Sequence, residues 1–217
     1  MSGFSRTLPR SYNRSDVTTF YLIRHGMTDV VGRSITGTAP GIHLNADGEA
    51  EAAVAAERLR QVRLAAVVSS PLERARETAA RIAAPHALAV EIDPAFNEYE
   101  FGEWTNTTLA DLAKKPQWGR FNTLRSFTRP PGGELMLDIQ ARTIPALLRL
   151  VDRHPDGHVA VVSHGDPVRA ILLYCLGMPI DFVHRLEITT ARISIVELGG
   201  PAPRVRQVNG DSAPPRA

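Results

Sequence analysis

The sequence predicts an α/β fold, a three-layer α/β/α sandwich around a largely parallel sheet. Short apolar runs rich in β-branched residues recur at 17–23, 65–69 and 159–163. Helical patterns separate them, and strands alternating with helices indicate a parallel sheet with helices on its faces. Between 17 and 200 there is no linker, repeat or low-complexity segment. One domain over 17–200 is therefore expected, although 217 residues could also hold two small ones.

Residues 1–16 carry Arg6, Arg10 and Arg14 but no acid before Asp16, and no apolar face at helical spacing. They read as a disordered leader. Val17–Ile23 is the first buried strand. It ends in Arg24-His25-Gly26, where the glycine allows a sharp turn or a close approach to a ligand. A Gly/Pro/Thr loop from Arg33 to Leu44 follows and can wall whatever site lies at that strand end. Asn45 is a good N-cap for an Ala-rich helix to about Gln61, with Asp47 and Glu49 matching the positive end of its dipole. After the strand Ala65–Ser69, Ser70 reads as an N-cap, Pro71 as the first helical residue and Glu73 as the partner in a capping box. Pro85 ends that helix. Arg74 then sits near a helix N-terminus, where a cation opposes the dipole and an anionic ligand or acidic neighbour would explain it.

Val90–Ile92 is a third short strand. Phe96 to Trp104 is a loop with three acids among aromatics. Thr108–Lys115 and Trp118–Leu124 look like short helices before the Pro130–Gly133 break. A longer helical pattern covers Glu134–His154, with a kink or two consecutive helices expected at Pro145. Val159–Ser163 is a buried strand ending in His164-Gly165. Asp166-Pro167 opens a helix that Gly177 and Pro179 close. Arg192–Leu198 alternates as a strand. In 201–217 an edge strand at Val205–Val208 and a flexible tail are expected.

Composition excludes several classes. Net charge is +2, with 25 Lys and Arg against 23 Asp and Glu, and no basic block interleaves with aromatics. Nucleic-acid binding has no support. No run approaches the roughly 18 apolar residues of a membrane span. The single cysteine, Cys175, excludes an intrachain disulfide and suits a cytoplasmic setting; its apolar helical context marks it as buried filler.

Arg24-His25-Gly26, Arg74, Glu98 and His164-Gly165 all fall at strand ends or adjoining loops, where open α/β sheets bind ligands. In this order, with Ser69 to Ala79, Asn97 to Trp104, Pro131-Gly132-Gly133-Glu134 and Val162 to Gly165, they resemble the histidine phosphatase superfamily. The likeness to this phosphoglycerate mutase-like family runs from about residue 18 to 198. Each motif is unspecific alone; the ordered set is specific. The resemblance implies a phosphoglycerate mutase-like fold. It implies catalytic roles for His25, Glu98, Arg24, Arg74 and His164, and substrate contacts from Arg24, Arg74, His164 and Thr28. Thr36 and Gly37 are expected to line the pocket by proximity to His25.

The chemistry suits these residue types. Arg24 and Arg74 can each fork onto a phosphoryl dianion. His164, if protonated, adds a donor. A neutral His25 can attack phosphorus in line and form a phosphohistidine. Glu98 can protonate the leaving alkoxide and then serve as base for water, its pKa raised by Phe96, Tyr99 and Phe101. No metal and no cofactor are expected, and the partner is a small phosphomonoester bound by a monomer or homodimer.

Arg76, Glu100 and Glu103 read as surface or structural charges. His43, His86, His154, His158 and His184 lack any motif. Trp104 and Trp118 read as core or pocket walls. The chain departs from the family pattern at Met27, at Val31, where an Asn often stands, and at Leu135, where Ser is common. The missing Asn weakens a mutase reading, and Phe101-Gly102-Glu103-Trp104 is closer to the phosphatase branch. A phosphoryl-transfer mutase and a silent phospho-ligand binder remain as alternatives, the latter opposed by the presence of both His25 and Glu98.

Overall fold

The computed structural model of the chain describes residues 17–211. The expected leader, 1–16, and the end of the expected tail, 212–217, lie outside them. Eight strands are described: β1 (Thr18–Arg24), β2 (Ser34–Ile35), β3 (Ala66–Ser69), β4 (Val90–Ile92), β5 (Thr107–Thr108), β6 (His158–Ser163), β7 (Ile193–Leu198) and β8 (Arg204–Gly210). The helices are α1 (Ala46–Leu59), α2 (Glu73–Ala83), α3 (Leu109–Leu112), α4 (Pro116–Thr123), α5 (Met136–Arg153) and α6 (Gly165–Cys175). Six strands form one sheet in the order β4-β3-β6-β1-β7-β8. Its β4-β3-β6-β1 half is parallel, and β7 and β8 extend it antiparallel. β2 and β5 pair separately.

β1 shows why a continuous apolar run is needed here. Its side chains alternate between faces, yet both faces are covered. Phe20 and Leu22 join Leu147 and Leu150 of α5 and Ile171 of α6. Tyr21 and Ile23 join Leu59 of α1 and Ala79 and Ile82 of α2. Two helical layers thus sandwich the sheet. A third cluster joins Tyr99, Trp104, Leu112, Phe121 and Met136 of the 99–136 segment to Ile139 of α5 and Ala170 and Leu173 of α6. Both tryptophans belong to it: Trp104 is buried, and Trp118 stacks on Phe121.

Three local expectations differ. α2 starts at Glu73 with Leu72 as an extended N-cap and no side-chain cap (φ −72°, ψ 143°), so Ser70 and Pro71 precede the helix. The Ser70 hydroxyl is engaged by His164 and Asn97 instead. α5 runs unbroken through Pro145, because buried residues on both sides of it, Ile139, Leu147 and Leu150, pin one continuous face to the core. The two short helices are Leu109–Leu112 and Pro116–Thr123, with Thr108 capping the first by accepting from the Asp111 N–H at 3.1 Å. Asn45 caps α1 as expected, its Oδ1 accepting from the Gly48 N–H at 3.0 Å. Among the described residues no helix is long and apolar enough to cross a membrane.

Candidate active site

Parallel pairing brings the ends of three strands level. Arg24 lies beside Ser163 and Ser69 beside Val162. The pairing continues one residue further: the His25 N–H donates to the Ser163 carbonyl at 2.9 Å and the Ser70 N–H to Val162 at 3.0 Å. His25, His164 and Ser70 therefore meet at the carboxyl edge. The His25 and His164 rings are 5.1 Å apart, edge to face.

His25 is buried. Its Nδ1 lies 2.7 Å from the Gly26 carbonyl oxygen. A carbonyl can only accept, so Nδ1 carries the proton and Nε2 keeps its lone pair. Burial above all, and then the Arg24 and Arg74 charges, hold its pKa well below the usual histidine range. The turn beside it is tight for a reason other than ligand approach. A Cβ on Gly26 would lie 2.5 Å from the Gly48 carbonyl oxygen, and one on Gly48 2.0 Å from that of Met27. Two bare backbones pass each other, which seats the N-terminus of α1 against the turn. The Gly26 N–H donates to Thr78 Oγ1 at 3.0 Å, and that hydroxyl donates to the Arg74 carbonyl at 2.8 Å, tying the turn to α2.

Both arginines are anchored at one end and free at the other. Arg24 donates through Nη1 to the Ile188 carbonyl at 2.9 Å, and its buried Nε has no partner. Arg74, 2% exposed, donates through Nη2 to the Gly37 carbonyl at 2.8 Å, and its buried Nη1 has none. The Thr28 hydroxyl is likewise buried and unpaired. Arg24, His25, Thr28, Thr36, Gly37, Arg74 and Glu98 line one cavity of about 110 Å³. Gly37 is at φ +50°, and a Cβ there would come 2.8 Å from the Tyr99 carbonyl oxygen.

His164 is fully buried beside His25 and is not among the residues lining this cavity. Its Nε2 is 2.8 Å from Ser70 Oγ. Ser70 donates its hydroxyl proton to Asn97 Oδ1 at 3.2 Å and accepts the Leu72 N–H at 3.3 Å. Its oxygen must therefore accept from His164, which places that ring's proton on Nε2 and leaves Nδ1 bare and unpartnered. Burial, and then His25, Arg74 and Arg24, hold the His164 pKa well below normal. The protonated form that would make it a third donor is disfavoured in this arrangement.

Glu98 is half-buried, and its Oε1 accepts the Tyr99 N–H at 2.8 Å. Burial first, and then the negative charge of Asp166, raise its pKa to about 7; the Tyr99 N–H, Arg74 and Arg24 pull the other way. Arg142 of α5 holds this segment by donating to the Ala95 carbonyl at 2.6 Å and the Glu98 carbonyl at 3.1 Å, and it pairs with Glu134 at 3.0 Å. Asp166 is buried between Arg125 at 2.9 Å and Arg169 at 3.2 Å. These two cations outweigh its burial and keep its carboxyl below the usual range.

Sequence reasoning gave Ser70 and Asp166 only helix-starting roles and assigned nothing in the site to Thr78, Asn97 or Arg142. The runs Ser69–Ala79, Asn97–Trp104 and Pro131–Glu134 pointed to the right segments but not to these long-range contacts. Among the described residues no group of three or more His, Cys, Asp or Glu is placed to hold a metal ion. Burial pushes the Cys175 thiol up to about 12, so it is an unreactive packing group.

The fold and this edge of the sheet are those of the histidine phosphatase superfamily. The chain belongs to that family: the model of its branch 1 matches residues 20–211. An uncharacterized protein of Mycobacterium tuberculosis, Rv0525, is 38% identical over 161 residues, 74% of this chain and 79% of that one. The bifunctional protein Rv2228c of the same organism is 35% identical over 201 residues, 90% of this chain; the chain spans only 55% of that relative's length. The glucosyl-3-phosphoglycerate phosphatase of M. tuberculosis is 31% identical over 169 residues, 73% of this chain and 75% of that one. The solved native structure of the mycobacterial glucosyl-3-phosphoglycerate phosphatase superposes with a TM-score of 0.81 at 26% identity, covering 89% of this chain and 99% of that one. The phosphoglycerate mutase-like α/β/α architecture expected from the sequence is thus present.

Proposed function

We propose that the chain is a metal-independent phosphomonoesterase working through a phosphohistidine on His25. The observation that carries this reading is the cavity itself. The unpaired Arg24 Nε, Arg74 Nη1 and Thr28 hydroxyl belong to the same small cavity as a histidine whose free nitrogen is neutral. Buried donors without partners are costly, and a phosphoryl group would satisfy them together. The name of the phosphatase relative is in keeping with it.

In the first step His25 Nε2 forms a bond to phosphorus while the bond to the ester oxygen breaks. The bonding pair goes to that oxygen, and the Glu98 carboxyl proton follows it, giving the neutral alcohol. In the second step a water oxygen attacks phosphorus and its proton passes to the Glu98 carboxylate. The N–P bond breaks, and inorganic phosphate and free His25 result. Arg24 and Arg74 offset the charge on the equatorial oxygens in both steps. A carboxyl group with a pKa near 7 can both give and take this proton at neutral pH.

The test is phosphate release from p-nitrophenyl phosphate and a panel of natural monoesters, in EDTA, beside His25→Ala. Release that disappears in the variant, with acid-labile phosphate recoverable from the wild-type protein at early times, is the expected result. Release that survives His25→Ala, or that needs an added divalent ion, overturns the mechanism.

A further inference from the structure

The cavity is lined by two kinds of side chain that a ligand could use. Its cations, Arg24 and Arg74, sit with His25 and are the groups a phosphoryl dianion would use. The rest of the wall carries four apolar side chains, Val30, Val31, Ile35 and Phe101, interspersed with the hydroxyl residues Thr28, Ser34 and Thr36, the glycines Gly32 and Gly37, and Glu98. No third cation lines the cavity among the described residues. Arg33 is exposed and does not line it. Arg125 is committed elsewhere, paired to Asp166 with its guanidinium 4.0 Å from the Phe121 ring centroid. Arg129 pairs with Asp138. Carboxylates stand nearby instead. Glu98 lines the cavity, and Glu100, next to Phe101, accepts from the hydroxyl of Thr38, next to Gly37, at 2.7 Å.

From this we infer that the site takes monoesters with one phosphate and an uncharged, partly apolar alcohol, and rejects those bearing a second anion. Val30, Val31, Ile35 and Phe101 are the residues that set this preference. A carboxylate or second phosphate placed against these four side chains would lose much of its hydration and meet no further cation, and Glu100, joined by Glu98 when that group is ionised, would repel it. An apolar alcohol would gain by burial against the same surface. Discrimination of this kind comes from the unpaired charge as much as from the favourable contact. The inference rests on the phosphomonoesterase reading for the nature of the ligand, but it can be measured without turnover.

Two non-hydrolysable probes separate the possibilities. Benzylphosphonate presents a phosphonate and an apolar ring, whereas 3-phosphonopropionate presents a phosphonate and a carboxylate. Calorimetric titration of the full chain with each should show benzylphosphonate binding about tenfold tighter or more, a difference of about 1.4 kcal/mol. In Val31→Arg the ratio should shift towards 3-phosphonopropionate by a similar factor, because the carboxylate then meets a cation. Equal or tighter binding of 3-phosphonopropionate by the wild type overturns the inference, as does failure of both probes to bind. An unchanged ratio in a folded Val31→Arg chain removes this wall as the alcohol site. If discrimination holds but no ester is hydrolysed, the phosphomonoesterase reading fails alone. If esters are hydrolysed without discrimination, the inference fails alone.

Discussion

Burial pushes His25 and Glu98 in opposite directions, and both shifts serve the proposed chemistry. Desolvation disfavours the charged form, so it lowers the histidine and raises the carboxyl. At neutral pH the nucleophile is then unprotonated while a large share of the acid still holds its proton. kcat/KM for an alkyl phosphate should fall above about pH 7 as Glu98 ionises, and Glu98→Gln should remove that limb. The variant's rate should drop by about 10²–10⁴, and by less for p-nitrophenyl phosphate, whose leaving group needs no proton. A base limb that persists in Glu98→Gln would assign the acid elsewhere. The same shift carries a stability cost. Glu98 ionises in the unfolded chain near 4.5 but in the folded chain near 7. Stability is therefore lost as pH rises between those values. Glu98→Gln should be the more stable protein at pH 8 by about 1–3 kcal/mol, with the gap closing towards pH 4.5. Thermal melts of both proteins across that range would show it. His25 and His164 act on the acid side. Both remain neutral in the fold and charge more readily when unfolded, so stability falls as pH drops below about 6.5.

Secondary-structure elements place these groups through backbone contacts. α1 supplies no side chain to the cavity, yet its Gly48 passes within Cβ distance of the Met27 backbone. Gly48→Ala would force α1 away from the turn that positions His25. Overpacking of this kind costs typically 1–3 kcal/mol. A lower urea midpoint together with a lower kcat is expected, since the Gly26 carbonyl that orients His25 belongs to the same turn. Full activity at reduced stability would separate the helix from the site. α5 plays the matching part for Glu98. Its Arg142 donates to the Ala95 and Glu98 carbonyls while its apolar face is buried in the core. α2 brings Arg74 within its first turn, where the cation opposes the helix dipole. The neighbouring Glu98 and Glu73 charges offset this in part, and an anion in the cavity would offset it further.

At the scale of the whole molecule, the sheet edge gathers two cations, Arg24 and Arg74, that are only partly offset by neighbouring acids. Arg24 and Arg74 are both desolvated; Arg169 further disfavours the charge of Arg24, and Arg24 that of Arg74. An oxyanion between them should stabilise the protein through binding to the native state alone. Inorganic phosphate at about 100 times its dissociation constant would add about 2.7 kcal/mol. For a domain of this size that is roughly a 5–11 °C rise in Tm. The rise should shrink in Arg74→Met, measured by scanning calorimetry in a phosphate-free buffer. An equal rise in both proteins would place the anion elsewhere.

Much of this is legible in the sequence. The strand runs at β1, β3 and β6 are short, continuous and apolar because both faces of a central parallel strand are buried, and that pattern survives in one dimension. The Arg24-His25 and His164 positions were readable because strand ends in such a sheet collect functional groups, and Arg74 and Glu98 were singled out from their neighbours by the family resemblance. What stayed hidden depends on contacts between residues far apart in the chain. Ser70 has the local look of a helix cap, but His164 and Asn97, 94 and 27 residues away, take its hydroxyl. Gly26 looks like a turn residue, but its missing side chain matters because Gly48 passes beside it. Pro145 looks like a break, but packing on both sides keeps α5 whole. Local propensities are worth about a kilocalorie per mole or less for most residues and about 3 kcal/mol for a proline inside a helix, and the summed tertiary packing and buried hydrogen bonds exceed them. The elements and the candidate site positions therefore follow from the chain alone, whereas the His164 tautomer, the shifted protonation of Glu98 and the meeting of Phe101 with the 30–35 segment arise only when distant segments meet.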